Sequence, residues 1–154
     1  MKRSSCAISV LLLFLSGSAL AGAWDVGPFD NDDALDWVWE LLESDDMSVV
    51  KRTLQDAIDS SGYLEAPTAS MAIAAAEVVA ALKGNPRAQL PAEVIEWIGK
   101  RDDEIDEDIV AAARQAIAQV VDTDSSELAQ LWMDSAEMAT AWRSELANLE
   151  QRLK

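Results

Sequence analysis

The sequence predicts an all-α fold, a compact bundle of about six or seven helices, from three observations. Apolar residues recur at steps of three and four between successive turn signals. No alternation long enough for a useful strand appears, and no internal repeat. Helix punctuation recurs along the chain: Asn31, Pro67 and Pro91 open segments, and Gly62, Gly84 and Gly99 close them. The chain has 154 residues, 50% hydrophobic and 26% charged, a balance that suits one packed domain rather than a disordered chain.

Residues 1–21 read as a secretory signal peptide. Lys2 and Arg3 supply the positive start, and Ala7 to Leu15 form an apolar stretch short of a membrane span. Ser16, Gly17 and Ser18 interrupt it, and Ala19-Leu20-Ala21 gives the small-x-small pattern of a cleavage site. Cleavage is expected after Ala21, leaving 22–154 as a single helical domain of 133 residues with no stable membrane anchor. The expected compartment is the periplasm or the exterior. Cys6 leaves with the leader, so the processed chain has no cysteine and relies on packing alone.

The processed chain opens irregularly, with turn chemistry at Gly27-Pro28. Asn31 is a good N-cap, and Asp32 and Asp33 then fall in the first turn, where carboxylates favour the positive helix end. The first helix runs to about Glu43, with Leu35, Val38, Trp39 and Leu42 at core spacing. Trp37 lies close to the side opposite Leu35 and Leu42. One of the two neighbouring indoles is therefore expected outside, with Trp37 in partial burial under the N-terminal segment. A second helix, Met47 to Ser60, presents Val50, Leu54, Ala57 and Ile58. The third, Pro67 to Lys83, is small and apolar on most sides, the mark of a central helix whose neighbours approach closely.

A short fourth helix opens at Pro91 and turns Val94, Trp97 and Ile98 inward. The fifth spans Asp103 to Val121 and buries Ile105, Ile109, Ala113, Ala116, Ile117 and Val120. Asp124 with Glu127 resembles a capping box for the sixth, which carries Leu128, Leu131 and Trp132. Met138, Trp142, Leu146, Leu149 and Leu153 continue at helical steps. No Gly or Pro marks a break near Ser135, so one long helix and two joined helices both fit.

Charge and composition exclude several functions. Lys and Arg total 12 against 28 acids, a formal charge of -16 that becomes -18 once Lys2 and Arg3 are removed. Nucleic acid is not an expected partner, because phosphate binding needs clustered cations. His is absent, which removes the usual neutral-pH general base and the Ser-His and Cys-His pairs. No cofactor is expected.

The opening Gly22-Ala23-Trp24-Asp25-Val26-Gly27-Pro28-Phe29-Asp30-Asn31-Asp32-Asp33-Ala34 resembles a family of small bacterial proteins of unknown function. Its members open Gly-Ala-Trp-Gly, followed by Phe, Asn-Asp and Ala. The resemblance takes in Tyr63 to Pro67, Ala75 to Ala81, Leu90-Pro91, Leu131-Trp132 and Trp142-Arg143. It implies a compact domain and supplies no activity, substrate or catalytic residue. Gly22, Trp24, Phe29, Asn31 and Asp32 are the candidate residues it singles out. This chain departs from the pattern in having Asp25 where Gly is usual, and in carrying a leader. The expected cut coincides with the start of the motif, so the free amine of Gly22 is expected to join the fold, paired with a carboxylate.

Glu77 is the remaining candidate, the one charged side chain between Pro67 and Leu82. A carboxylate in so apolar a helix is costly unless paired. The Gly22 amine, Arg87 and Arg143 are the expected partners, in a structural role that outweighs that of a catalytic acid. The acids at Asp30 to Asp36 and at Asp122 to Asp124 lack the glycine and glutamate positions of a calcium loop, so capping explains them without a metal. Asp102 to Asp108 holds six acids in seven positions, read as a solvated helical face or as a docking face for a cation. The favoured function is an exported acidic interaction module that binds a basic protein. The alternatives are a carboxylate-based hydrolase and a calcium-stabilised envelope protein.

Overall fold

A computed structural model describes residues 25–101 and 105–154. The leader, the cleavage site and the candidates Gly22 and Trp24 lie outside the described residues. Seven helices follow in order: α1 (Asp32–Leu42), α2 (Ser48–Ile58), α3 (Ala66–Leu82), α4 (Ala92–Gly99), α5 (Glu107–Val120), α6 (Glu127–Met133) and α7 (Ala136–Arg152). The described residues form no strand; their one bridge pairs Leu64 with Ser126. Among them, no helix is long and apolar enough to cross a membrane.

α3 is the axle of the bundle. Twelve of its 17 residues are buried, and it touches all six other helices. Alanine at 69, 72, 74, 75, 76, 80 and 81 makes this possible, since a methyl side chain lets neighbouring backbones approach closely. The helix ends in a paired turn: Gly84, at φ 93°, donates its N–H to the Ala81 carbonyl, and Asn85 donates to Ala80. That arrangement needs a left-handed residue, which Gly supplies without strain. It turns the chain back so that Asn85 meets the end of α7 and Arg87 meets Glu145 in its middle.

α1 is rotated from the stripe expected of it. Ala34, Trp37, Val38 and Leu41 are buried, Leu35 and Leu42 are half-buried, and Trp39 stands 69% exposed. Trp37, 2% exposed, is the core indole of the pair, not the peripheral one. Its Nε1–H donates to Thr53 Oγ1 at 2.8 Å, and Thr53 donates in turn to the Val49 carbonyl at 2.9 Å. A buried indole N–H needs such a partner, and Thr53, the buried polar side chain of α2, supplies it.

Two further expectations change. The expected capping box at Asp124 and Glu127 does not form. Ser126 is the N-cap of α6, accepting from the Ala129 N–H at 3.3 Å. Glu127 instead reaches across the fold, and its Oε2 accepts the Ala66 N–H at the start of α3 at 2.8 Å. The bridge between Leu64 and Ser126 holds the two segments side by side for this: Leu64 donates to Ser125 at 2.7 Å, and Glu127 donates to Leu64 at 2.9 Å. α5 begins at Glu107 rather than Asp103, capped by Asp106, which accepts from the Ile109 N–H at 2.8 Å. The acidic run therefore contributes a cap and a first turn, not one helical face; Asp102 to Glu104 lie outside the described residues. The open question at Ser135 resolves as two helices, with Ser135 the N-cap of α7.

Candidate functional site

Glu77 lies on the face of α3 that also carries Ser70 and Ile73, three and four residues apart. It is 2% exposed. Both carboxylate oxygens accept from Arg152, Oε2 from one terminal guanidinium nitrogen and Oε1 from the other, each at 2.7 Å. This two-pronged geometry is the strong form of the guanidinium–carboxylate pair. Arg152 Nε also donates to Asn148 Oδ1 at 2.8 Å, so its whole fork is engaged. Around it, Lys83 Nζ donates to the Leu153 carbonyl and Asn85 Nδ2 to the Arg152 carbonyl, at 3.1 and 3.0 Å. The end of α7 is thus fastened to the end of α3 by side chains from both.

Arg87, on the loop after α3, lies 4.0 Å from Glu77 Oε1 and 3.6 Å from Glu145 Oε2. Arg87 was expected near Glu77 and is there. Arg143 is not: it is exposed and directs a guanidinium nitrogen at Met133 Sδ, 2.9 Å away. Arg152 is the partner that sequence reasoning missed. Its signal was available, since Glu145, Asn148 and Arg152 fall at steps of three and four beside the apolar stripe of Trp142, Leu146 and Leu149.

Above this pair a small cleft opens between the N-terminal segment, α3, α6 and α7. Asp25, Glu77, Glu145, Trp132 and Trp142 are among the side chains that line it. Its cavity volume is ≈ 20 Å³, room for one or two waters. The candidate Phe29 is buried in the core beside it. Asn31 is also buried: it lines the cleft and caps α1, its Oδ1 accepting the Ala34 N–H at 2.8 Å. Asp32 is exposed in the first turn of α1. The cleft therefore joins Asn31 and Glu77, and leaves Asp32 on the surface.

The second candidate surface is the outer side of α1. Asp32, Asp36, Trp39, Glu40 and Glu43 are all exposed there at helical spacing. Glu40 pairs with Arg52 of α2. Asp33, at the edge of this face, has its carboxyl pushed above the ordinary carboxylate range by partial burial first, and then by the charges of Asp32 and Asp36. At the far end of α1, the Ser44 carbonyl accepts from both Trp97 Nε1 at 3.0 Å and an Arg101 nitrogen at 2.8 Å. The Arg101 guanidinium also stacks over the Trp97 ring at 3.3 Å. Among the described residues, no three carboxylates gather as a metal-ion group.

An all-α domain whose last helix is clasped to its central one by a buried ion pair is the class that this fold and cleft define. Residues 22–145 match the family described as Domain of unknown function (DUF4259), and the chain belongs to that family. The match covers Glu77 and both cleft tryptophans and ends at Glu145, seven residues before the arginine that completes the clasp. No curated protein and no solved structure matches the chain.

Proposed function

We propose that this domain is an exported binding module whose acidic surface docks a basic protein. The observation that carries the reading is Trp39. An indole 69% exposed among Asp32, Asp36 and Glu43 supplies both elements of such a surface, an apolar anchor and surrounding negative charge. The Asp33 carboxyl, raised by partial burial first, is raised further by the neighbouring charges of Asp32 and Asp36. The net charge of the chain favours encounter with a cation at long range. The leader at 1–21, processed after Ala21, would deliver the domain to the periplasm or the exterior, and the Gly-Ala-Trp opening would then be its first residues.

A hydrolase has weaker support. Both oxygens of Glu77 are engaged by Arg152, and the adjoining cavity is far smaller than the ~300 Å³ or more of a typical ligand pocket.

The test has two arms. Intact mass of the exported protein should correspond to a chain beginning at Gly22. The purified protein, immobilised and exposed to the exported protein fraction, should retain a basic protein that moderate salt releases. Trp39→Ala and Asp36→Lys should each lose it. Retention that neither salt nor these substitutions diminish would refute the docking face.

A further inference from the structure

The exposed face of α1 continues into a groove. Leu35, Trp39 and Leu42 stand four and three residues apart, which sets them in one row along a flank of the helix. Leu35 and Leu42 are half-buried beside the exposed indole. On the outward side of this row run Asp32, Asp36 and Glu43, all exposed. At the Leu42 end the surface dips between α1 and α4 into a cavity of ≈ 310 Å³, with Trp97 in its wall. Its α4 side carries Glu93 and Glu96, and Asp45 lies just past the end of α1; all three are exposed. The cations at this groove are already engaged. Lys100 Nζ lies 2.6 Å from Glu96, while Arg101 covers the Trp97 ring and donates to the Ser44 carbonyl. The apolar row is therefore bounded by carboxylates along α1 and, at its far end, by carboxylates on α4.

We infer that this row and groove receive an amphipathic helix of the basic partner. Its apolar stripe lies on Leu35, Trp39 and Leu42, and its Lys or Arg side chains lie over the carboxylates on either side. This rests on the reading of the outer face of α1 as the docking surface. Two points select a helix. Apolar residues at helical steps match a row that itself repeats at four and three, and a helix can settle along the channel between two others. An extended segment would gain its main-chain bonds by adding to a sheet edge, and the described residues form no strand. Long cationic side chains suit the rims, because their stems can cover the indole while their charged ends stay beside the acids. The same acids repel an anionic lipid surface, so the row is not a membrane anchor. A short helix of this kind is marginal alone in water, so the segment folds as it docks.

The probe is a roughly 15-residue peptide of leucine and lysine, with leucines at steps of three and four. Its control has the same composition in an order without helical periodicity, so the total charge is unchanged. Titration calorimetry with the wild type should find the periodic peptide tighter by about tenfold, and circular dichroism should show helix gained on binding. Trp39→Ala should weaken it about tenfold and Glu93→Lys about fivefold. Glu150→Lys makes the same charge change on the exposed side of α7 and should leave affinity near that of the wild type. Equal affinity for the two peptides, or equal losses from the two charge reversals, would overturn the inference. A wild-type dimer that Trp39→Ala abolishes would also overturn it, by giving the row to a second copy of the chain. If Trp39→Ala releases the exported basic protein and Glu93→Lys retains it fully, the docking face stands and the groove falls.

Discussion

Glu77 and Arg152, 75 residues apart in sequence, meet through two parallel hydrogen bonds of 2.7 Å at the junction of the central and last helices. Glu77 is almost wholly buried, and the arginine side chain is 15% exposed. Breaking such a pair leaves a charge in the interior without its counterpart, at a cost of about 3–5 kcal/mol. The remaining solvent contact of Arg152 places the expectation at the lower end. Glu77→Gln should therefore lower the thermal midpoint by roughly 10 °C, followed by circular dichroism. Replacing both residues with leucine should recover most of the loss, because no unpaired charge remains. A single substitution that left the midpoint unchanged would rule out a structural clasp.

The two neighbouring tryptophans of α1 should behave oppositely. Trp37→Ala empties a core site and should cost about 3–5 kcal/mol. Thr53→Val keeps the volume but removes the acceptor of the Trp37 N–H, costing about 1–3 kcal/mol for one unsatisfied buried donor. Trp39→Ala should stay within about 0.5 kcal/mol of wild type, as an exposed side chain. Urea unfolding of the three variants supplies the ranking. A Trp39 variant as unstable as the Trp37 one would restore the helix orientation that the sequence suggests.

That orientation shows where the sequence is ambiguous. α1 has apolar residues at 34, 35, 37, 38, 39, 41 and 42, a band so wide that two stripes fit it equally well. Periodicity cannot choose between them. In the observed rotation the Trp37 N–H meets Thr53, a polar residue on another helix, and no local pattern encodes that meeting. α3 had no such ambiguity, because nearly every side around Ala72 to Ala81 is apolar and every rotation buries it. The helix ends at Asn31 and Gly84 were readable for a related reason: caps and left-handed turns act within a few residues. Glu77 announced itself as a buried charge, yet its partner depended on how α7 docks. Asp124 and Glu127 failed in the same way, since Glu127 serves a helix 61 residues upstream.

That reassignment is itself testable. The Ala66 N–H lies in the first turn of α3, where no intrahelical carbonyl can reach it, and Glu127 accepts it. Glu127→Ala should cost about 1 kcal/mol, the usual loss for a missing N-terminal acceptor. Glu127→Gln retains an acceptor oxygen and should cost less. The Ala66 amide should exchange faster with solvent deuterium in the alanine variant, while amides at the far end of α3 keep their protection. Had Glu127 formed the expected box, the rapid exchange would appear in α6 instead.

Asp33 and Asp122 should shift stability in opposite directions with pH. The folded environment raises the Asp33 carboxyl above 3.8, through burial first and then the charges of Asp32 and Asp36. The folded chain therefore holds this proton more tightly than the unfolded chain, and the contribution to stability is fully present below about 3.8, the unfolded value. It is lost as pH rises through the higher folded value, so at neutral pH the ionised group is a net cost. Asp33→Asn should stabilise the fold at pH 7, by no more than about 0.5 kcal/mol because water still screens the site. The gain should vanish near pH 3, where wild-type Asp33 is protonated in both states. Asp122 is the converse. Its carboxyl is lowered by the Asp124 N–H, 3.0 Å from Oδ1, and by the Ser125 hydroxyl, 2.8 Å from Oδ2. Its contribution is present above about 3.8 and lost as pH falls through the lower folded value. Asp122→Asn should therefore destabilise at pH 7 and progressively less in acid. Melting curves of both variants between pH 3 and 7 would decide the assignment, and parallel shifts in the same direction would contradict it.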